Sequence, residues 1–148
     1  MDDTVRFDRY GVIPHGKPKL LVVDDTYKFH KTATLALANI EFFDFVGAVF
    51  TGKEAVAQAG QKVVSHVVLD LYVLLNERLN PEFREDNTLK LLKSLPHSPK
   101  VIVLTHSNTD EYRQAVMDLG ADGFIYASQF PAILYPILIE QGSTAQKS

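Results

Sequence analysis

The chain has no cysteine and no tryptophan among its 148 residues. Without cysteine there is no disulfide framework, no thiolate zinc site and no cysteine nucleophile. No apolar run reaches the ~18 residues that a membrane-spanning helix needs. Acidic residues (18) outnumber lysine and arginine (15), so the basic footprint of a nucleic-acid-binding domain is missing. We expect a domain that binds neither nucleic acid nor membrane, and the lack of cysteine fits a reducing, cytoplasmic location.

The first 18 residues are polar and broken by glycine and proline, which excludes a secretory signal peptide. The rest of the chain is long enough for one domain. We predict an N-terminal extension over residues 1–18, a single domain over residues 19–141 and a C-terminal tail over residues 142–148.

Five short apolar runs predict strands: Leu20–Val23, Phe45–Phe50, His66–Leu71, Lys100–Thr105 and Gly123–Ala127. A stretch with helix-forming composition or helical spacing follows each run, at about residues 26–40, 52–62, 87–95, 108–120 and 130–142. The runs are continuous and rich in β-branched residues, which is typical of a parallel sheet covered on both faces. The alternation therefore predicts an α/β fold.

Polar residues stand where three of these strands end. Asp24 and Asp25 follow the first strand, Asp70 ends the third and Thr105 ends the fourth. Ligands of open parallel sheets bind at this edge. Adjacent carboxylates repel by roughly 4 kcal/mol at 4 Å and a dielectric near 20, and a Mg²⁺ ion with its oxygen ligands would relieve that repulsion. One carboxylate could then attack phosphorus, with the Thr105 hydroxyl donating to the transferred phosphoryl group.

The pieces "LLVVDD", "VVLDL", "VIVLT" and "GADGFI" occur in this order. With them the chain resembles the receiver domain of bacterial two-component response regulators, over about residues 19–141. The resemblance implies a flavodoxin-like, doubly wound five-stranded parallel sheet with strand order 2-1-3-4-5. It also implies Mg²⁺-dependent phosphoryl transfer from a sensor histidine kinase or a phosphotransfer protein. The module would catalyse only its own phosphorylation and dephosphorylation.

The resemblance also assigns roles to six residues. Asp70 would be the phospho-acceptor, Thr105 the switch hydroxyl and Phe124 the switch aromatic, while Mg²⁺ would be held by Asp24, Asp25, Asp70 and the backbone carbonyl of Tyr72. The expected downstream partner is an output domain or protein. A homodimer through the face of the fifth strand is a further expectation.

The chain departs from the family pattern at two places: a lysine is missing, and one segment is longer. Ala127 stands where family members usually carry a lysine that contacts the phosphoryl oxygens. The segment after the acceptor, residues 71–86, is longer than in the family and is predicted to be a loop beside the site that is mobile without phosphate. Arg78 or Arg84 of this segment could replace the missing cation, although a loop of mixed charge is more often solvated.

Two histidines lie close to the predicted site in the sequence. His106 follows the switch hydroxyl, where the family usually has a small residue, and is either a loop residue that crowds the site, a replacement phosphate donor or a pH-sensitive gate. His30 is expected at the surface of the first helix.

Two other functions compete with a phosphorylated switch. Ala127 is consistent with a degenerate receiver that acts as a phosphorylation-independent interaction domain. "VVLDLYVLL" loosely resembles the nucleophile strand of haloacid-dehalogenase-type phosphatases, but Tyr72 stands where that family needs a second aspartate. No output region follows residue 142, so the chain is either a stand-alone regulator or a piece of a longer one.

Overall fold

The computed structural model describes residues 5–8, 11–14, 17–41, 43–78, 87–107 and 110–137. The first of these residues form a two-stranded antiparallel hairpin, β1 (Val5–Asp8) and β2 (Gly11–Pro14). Sequence reasoning assigned no strands to this segment.

A five-stranded parallel sheet forms the centre of the domain. Its strands are β3 (Lys19–Val23), β4 (Asp44–Val49), β5 (His66–Asp70), β6 (Lys100–Thr105) and β7 (Gly123–Tyr126). They lie in the order β4-β3-β5-β6-β7, and every neighbouring pair is parallel. In numbers of the sheet's own strands this is 2-1-3-4-5, so the predicted flavodoxin-like fold is confirmed.

In the described part of the chain the sheet is covered by α1 (Tyr27–Leu37), α2 (Gly52–Gln61), α3 (Leu71–Arg78), α4 (Thr88–Lys93) and α5 (Arg113–Asp118), and a further helical segment begins at residue 134. Local sequence explains several of the starts. Thr26 and Asn87 accept hydrogen bonds from the first turns of α1 and α4, and Thr51 and Glu54 form a reciprocal capping box on α2. None of the helices in the described ranges has the length and apolarity that crossing a bilayer requires.

Alternate residues of each strand face opposite sides of the sheet, which produces two buried clusters. We call the side that packs on α1 the α1 face; it contains Leu20, Val22, Val68, Ile102 and Leu104 from the strands, with Phe29, Ala33 and Leu37 from α1. The α5 face contains Leu21, Val23, Leu69, Val101, Val103 and Phe124 from the sheet, with side chains from α2 to α5. Each strand-end side chain therefore belongs to one face or the other.

The segment after Asp70 differs from its prediction. Residues 71–78 form α3 rather than a loop. Leu71, Val73 and Leu74 are buried in the α5-face cluster, and Leu75 packs against it. Because this apolar set directly continues the strand run, no break in the sequence marks where strand becomes helix. Residues 79–86 lie outside the described residues, so the predicted mobility of that part is a prediction still.

The connection between α3 and α4 is held by one side chain. The Glu77 carboxylate accepts from the Thr88 backbone N–H at 2.9 Å and from the Thr88 hydroxyl. Gly52, the first residue of α2, lies against both groups, and a Cβ there would collide with the Thr88 hydroxyl. The glycine thus permits three helices to meet.

Two helix predictions need correction. The helix predicted over about residues 108–120 is shorter: α5 begins at Arg113, with Tyr112 at its N-cap. The predicted helix over residues 130–142 is also shortened at its start. A single 3-10 turn occupies Ala127–Gln129, and helix begins only at residue 134. Pro136 then stands in the first turn, where proline is tolerated.

Candidate functional site at the carboxyl ends of the strands

Asp70 is the last residue of β5 and is 2% exposed. Val68 faces α1, so Asp70, two residues later, leaves the sheet on the same α1 face. Its Oδ1 accepts from the Tyr72 backbone N–H at 3.4 Å. Its Oδ2 is buried and has no hydrogen-bond partner among the described residues. A buried carboxylate oxygen left in this state is costly unless a cation or donor arrives.

Asp24 follows β3 and is fully buried beside Asp70, because Val23 pairs with Leu69 in the neighbouring strand. Its Oδ1 accepts from the Thr26 backbone N–H at 2.8 Å and from the Thr26 hydroxyl at 2.6 Å. Its Oδ2 lies 2.9 Å from His106 Nε2. Both oxygens are therefore fixed in direction before any ligand binds.

His30 holds the backbone at the same point. Its Nε2 donates to the Asp24 carbonyl oxygen at 2.7 Å, and its ring stacks on Phe50 with centroids 3.8 Å apart. His30 is 8% exposed, so the expected surface position is wrong. The spacing of His30, Ala33 and Leu37 along one helical face was the available indication of burial. The residue serves to position Asp24.

The negative charges act strongly on Asp70. Burial is the largest cause that raises the pKa of Asp70 from 3.8 to about 8; the charge of Asp24 is the next, and the charge of Asp25 contributes less. The Tyr72 N–H acts in the opposite direction. In the absence of a cation, Asp70 is thus protonated at neutral pH.

The donor set fits a divalent cation. Ligand atoms of Asp24, Asp70 and His106 lie within 4.8 Å of one another; Asp25, the next residue after Asp24, is exposed and outside this group, but its charge acts on Asp70. We call these four residues the acidic site. Carboxylate oxygens are the ligands that Mg²⁺ prefers, and a dication favours the ionised form of Asp70.

The backbone carbonyl of Tyr72, the remaining predicted metal ligand, is part of a helix. Tyr72 lies in the first turn of α3, where a helical carbonyl is directed along the axis towards the residue four positions later. Ligation by this carbonyl remains a prediction, and it requires that turn to open.

Thr105 ends β6 on the α5 face and is 1% exposed. Its Oγ1 lies 3.1 Å from the Ser107 hydroxyl and accepts from the Ser107 backbone N–H at 3.2 Å. In the neighbouring strand, Tyr126 pairs with Thr105. The predicted switch hydroxyl therefore starts from a local hydrogen-bonded state with Ser107.

The ring of Phe124 lies under the guanidinium of Arg113, a residue that the sequence analysis did not identify. The Arg113 guanidinium carbon is 4.7 Å from the centroid of the Phe124 ring and 6.0 Å from that of Tyr126. Arg113 also lies 3.4 Å from Asp110. We call Thr105, Phe124, Tyr126 and Arg113 the switch side. The contact joins residues far apart in the sequence, so no local pattern indicates it.

The position of the missing lysine is filled by packing. Ala127 begins the 3-10 turn after β7 and packs against the α1-face cluster. The side chain of Arg78 and all of residue 84 lie outside the described part of the chain, so their predicted role as replacement cations stays a prediction.

The chain is similar to known proteins over most of its length. The model of the response regulator receiver domain matches residues 20–128. The transcriptional regulatory protein YdfI of Bacillus subtilis (strain 168) is 27% identical over 107 residues, which is 72% of this chain and 46% of that protein. The chain spans about half the length of the curated relatives it matches.

Solved structures show the same fold. The response regulator domain of Thermotoga maritima CheB has a TM-score of 0.64 at 20% identity, covering 89% of this chain and 98% of that chain. The RcsB response regulator of Salmonella typhimurium has a TM-score of 0.66 at 21% identity, covering 86% of this chain and 62% of that chain. Because the family match extends over residues 20–128, most of the chain, the protein belongs to the response regulator receiver domain family, the signalling modules of two-component systems.

Proposed function

We propose that this receiver accepts a phosphoryl group on Asp70 with Mg²⁺ held by Asp24, Asp25 and Asp70. The observation that carries the proposal is the Asp70 Oδ2 atom, which is buried without a hydrogen-bond partner among the described residues and lies next to a second buried carboxylate. When bound, Mg²⁺ would supply positive charge to the phosphoryl oxygens and to the carboxylates.

The chain's own groups then perform the transfer. An oxygen of ionised Asp70 attacks the phosphorus of a phosphohistidine, forming a P–O bond as the P–N bond breaks, and the departing imidazole takes a proton. Thr26 and His30 keep Asp24 oriented during this step. Thr105 would leave its bond with Ser107 to donate to the phosphoryl group, and Phe124 would respond to that movement.

The partners follow from the same proposal. The donor is a sensor histidine kinase or a phosphotransfer protein in the cytoplasm, and the recipient of the signal is an output domain or protein. The name of the Bacillus relative points to transcription as the output. DNA contact would then belong to another part of the protein and dimerisation to the β7 face. We also propose that the receiver domain extends over residues 19–141, between an N-terminal extension and a C-terminal tail.

Incubation of the full chain with acetyl phosphate and Mg²⁺, followed by intact mass measurement, tests the proposal. The natural chain should gain one phosphoryl group, and Asp70→Asn should gain none. The matched control is Asp118→Asn, an exposed acid on α5, which should behave like the natural chain. Equal labelling of the Asp70 variant would contradict the assignment of the acceptor.

A degenerate receiver is the second candidate, supported by Ala127 in place of the lysine. In that case neither acetyl phosphate nor a fluoride-based phosphoryl mimic would change the mass or the spectrum of the natural chain. The family assignment removes the basis for the haloacid-dehalogenase-type alternative.

A further inference from the structure

We propose that His106 turns the acidic site into a mixed nitrogen–oxygen metal site that selects a first-row transition dication, such as Mn²⁺ or Zn²⁺, over Mg²⁺. The proposal rests on the metal site of the proposed function and concerns which ion that site holds.

The position of His106 is the first argument. It follows β6 directly, and its Nε2 lies 2.9 Å from Asp24 Oδ2. One ligand atom each from Asp24, Asp70 and His106 falls within a 4.8 Å span. Ligands at opposite sides of one ion lie about 4.2 Å apart when each bond is about 2.1 Å long. The three atoms are thus already close to the spacing that one shared cation imposes.

The Asp70 Oδ2 atom is the second, independent argument. It is buried, and no hydrogen bond satisfies it within the described ranges. Asp24 directs its Oδ2 at His106 while Thr26 holds its other oxygen. A cation between these groups would satisfy Asp70 and replace the hydrogen bond between Asp24 and His106.

The His106 ring is supported in this orientation. Phe29 contacts it edge-on with centroids 5.0 Å apart, and Phe29 is itself packed on Phe130 at 5.2 Å. The side chain of His106 is 34% exposed, so an ion can reach it from solvent. As a ligand, the ring presents the lone pair of Nε2 and carries its hydrogen on Nδ1. The aromatic support limits the movement that ligation requires.

Selectivity follows from the chemistry of the ligand. Imidazole nitrogen suits Zn²⁺ and the other late first-row dications best; Mn²⁺ takes chiefly oxygen ligands but also binds imidazole, whereas Mg²⁺ takes oxygen ligands and keeps its waters. His106 therefore competes with Mg²⁺ for the Asp24 carboxylate. To bind Mg²⁺, Asp24 must give up its hydrogen bond with His106 Nε2, and no bond between nitrogen and metal compensates for that loss. For a transition dication the same nitrogen becomes a ligand.

Calorimetric titration of the full chain with Mg²⁺, Mn²⁺ and Zn²⁺ tests this. His106→Ala, which restores a small residue, should weaken Mn²⁺ and Zn²⁺ binding by at least about tenfold, the smallest loss expected when even an outer partner of a metal site is removed. Mg²⁺ binding should stay unchanged or tighten. His97→Ala is the control, since His97 precedes β6 at the opposite edge of the sheet; it should change none of the three. Equal effects of His106→Ala on all three ions would overturn the inference.

Pulsed electron paramagnetic resonance of bound Mn²⁺ gives a spectroscopic readout that does not depend on affinity. Modulation from an imidazole ¹⁴N nucleus is expected in the natural chain and should vanish in His106→Ala. If Mn²⁺ binds without nitrogen modulation while acetyl phosphate still labels Asp70 with Mg²⁺ present, the inference is wrong and the proposed function stands. If none of the ions binds the natural chain, the metal site itself is wrong, and both fall.

Discussion

The acidic site and the switch side lie at the carboxyl ends of the same sheet but differ in whether their charged groups already have partners. On the α1 face, Asp24 and Asp70 are buried side by side, and Asp70 is left with an unsatisfied oxygen among the described residues. On the α5 face, a cation, Arg113, rests on two aromatic rings. The acidic site holds negative charge that an incoming cation would balance, whereas the guanidinium of the switch side already contacts the rings of Phe124 and Tyr126.

This difference separates capture of a phosphoryl group from the response to it. The α1 face keeps all the carboxylates that the family pattern implies. Ala127, which packs against the α1-face cluster, replaces the lysine, and on the switch side Thr105 is engaged with Ser107. We therefore expect variants of the acidic site to have larger effects than variants of the switch side.

The largest effect is expected for Asp25→Ala on Mg²⁺ binding. Loss of one carboxylate from three leaves too little negative charge to hold a hard dication that keeps most of its waters. Calorimetric titration should show binding for the natural chain and none for the variant. An Asp118→Ala variant removes an exposed acid elsewhere and should titrate normally. An Asp25 variant with undiminished Mg²⁺ affinity would contradict the metal assignment.

The next effect is the stability of Asp70→Asn without metal. The pKa of Asp70 is about 8 in the folded chain, against an ordinary value of 3.8 for an aspartate side chain. Between these pH values the folded state keeps a proton that the unfolded state has lost, so stability falls as pH rises. Asn removes this loss and should stabilise the chain at pH ~8 by on the order of 5 kcal/mol, since each pKa unit corresponds to about 1.4 kcal/mol.

Denaturant unfolding in chelator across pH measures this difference. The curves of the natural chain and Asp70→Asn should converge below pH ~4, where Asp70 is protonated in both states. Mg²⁺ at pH ~8 should stabilise the natural chain alone, because it binds only the folded form with an ionised Asp70. A constant offset at every pH would show that charge at Asp70 is not the cause.

Ala127→Lys sharpens the comparison by restoring the cation that the family usually has at this position. A lysine there would add a charge-assisted contact to the phosphoryl group, worth about 1.5–3 kcal/mol, which corresponds to roughly 10–100-fold in phosphorylation rate. Intact mass during incubation with acetyl phosphate gives the rate. Ala127→Met has similar length without charge and should not accelerate the reaction. If lysine and methionine act alike, another group already supplies the cation.

The smallest effect is expected for Arg113→Ala. The guanidinium over Phe124 contributes about 0.5–1 kcal/mol at a partly exposed site. The variant should lose that amount of stability, measured by denaturant unfolding, while Arg113→Lys loses less because it keeps the charge. The Phe124 ring should also show a larger change in NMR shift with a phosphoryl mimic. An unchanged ring response would show that Arg113 does not restrain it.

The strands of this domain could be predicted because each is a continuous apolar run that ends in a polar residue. The same feature prevented the prediction of α3. Leu71, Leu74 and Leu75 continue the apolar run of β5 with helical spacing, and no turn residue separates the strand from the helix. The site carboxylates were identified from strand ends and the family motifs. The contacts of His106 with Asp24 and of Arg113 with Phe124 are long-range, and only the packed fold brings them together.

The Glu77–Thr88 contact has a consequence for how this chain can change in length. It ties two residues that are 11 positions apart, so the two ends of the intervening segment are held by the domain itself. Once ends are fixed in this way, each doubling of a connecting segment costs only about 0.6 kcal/mol. We expect residues 79–86 to accept an inserted peptide or fluorescent reporter with little loss of stability. Because α3 begins at the residue after Asp70 and ends at Arg78, such a reporter would follow directly the helix that starts at the proposed acceptor.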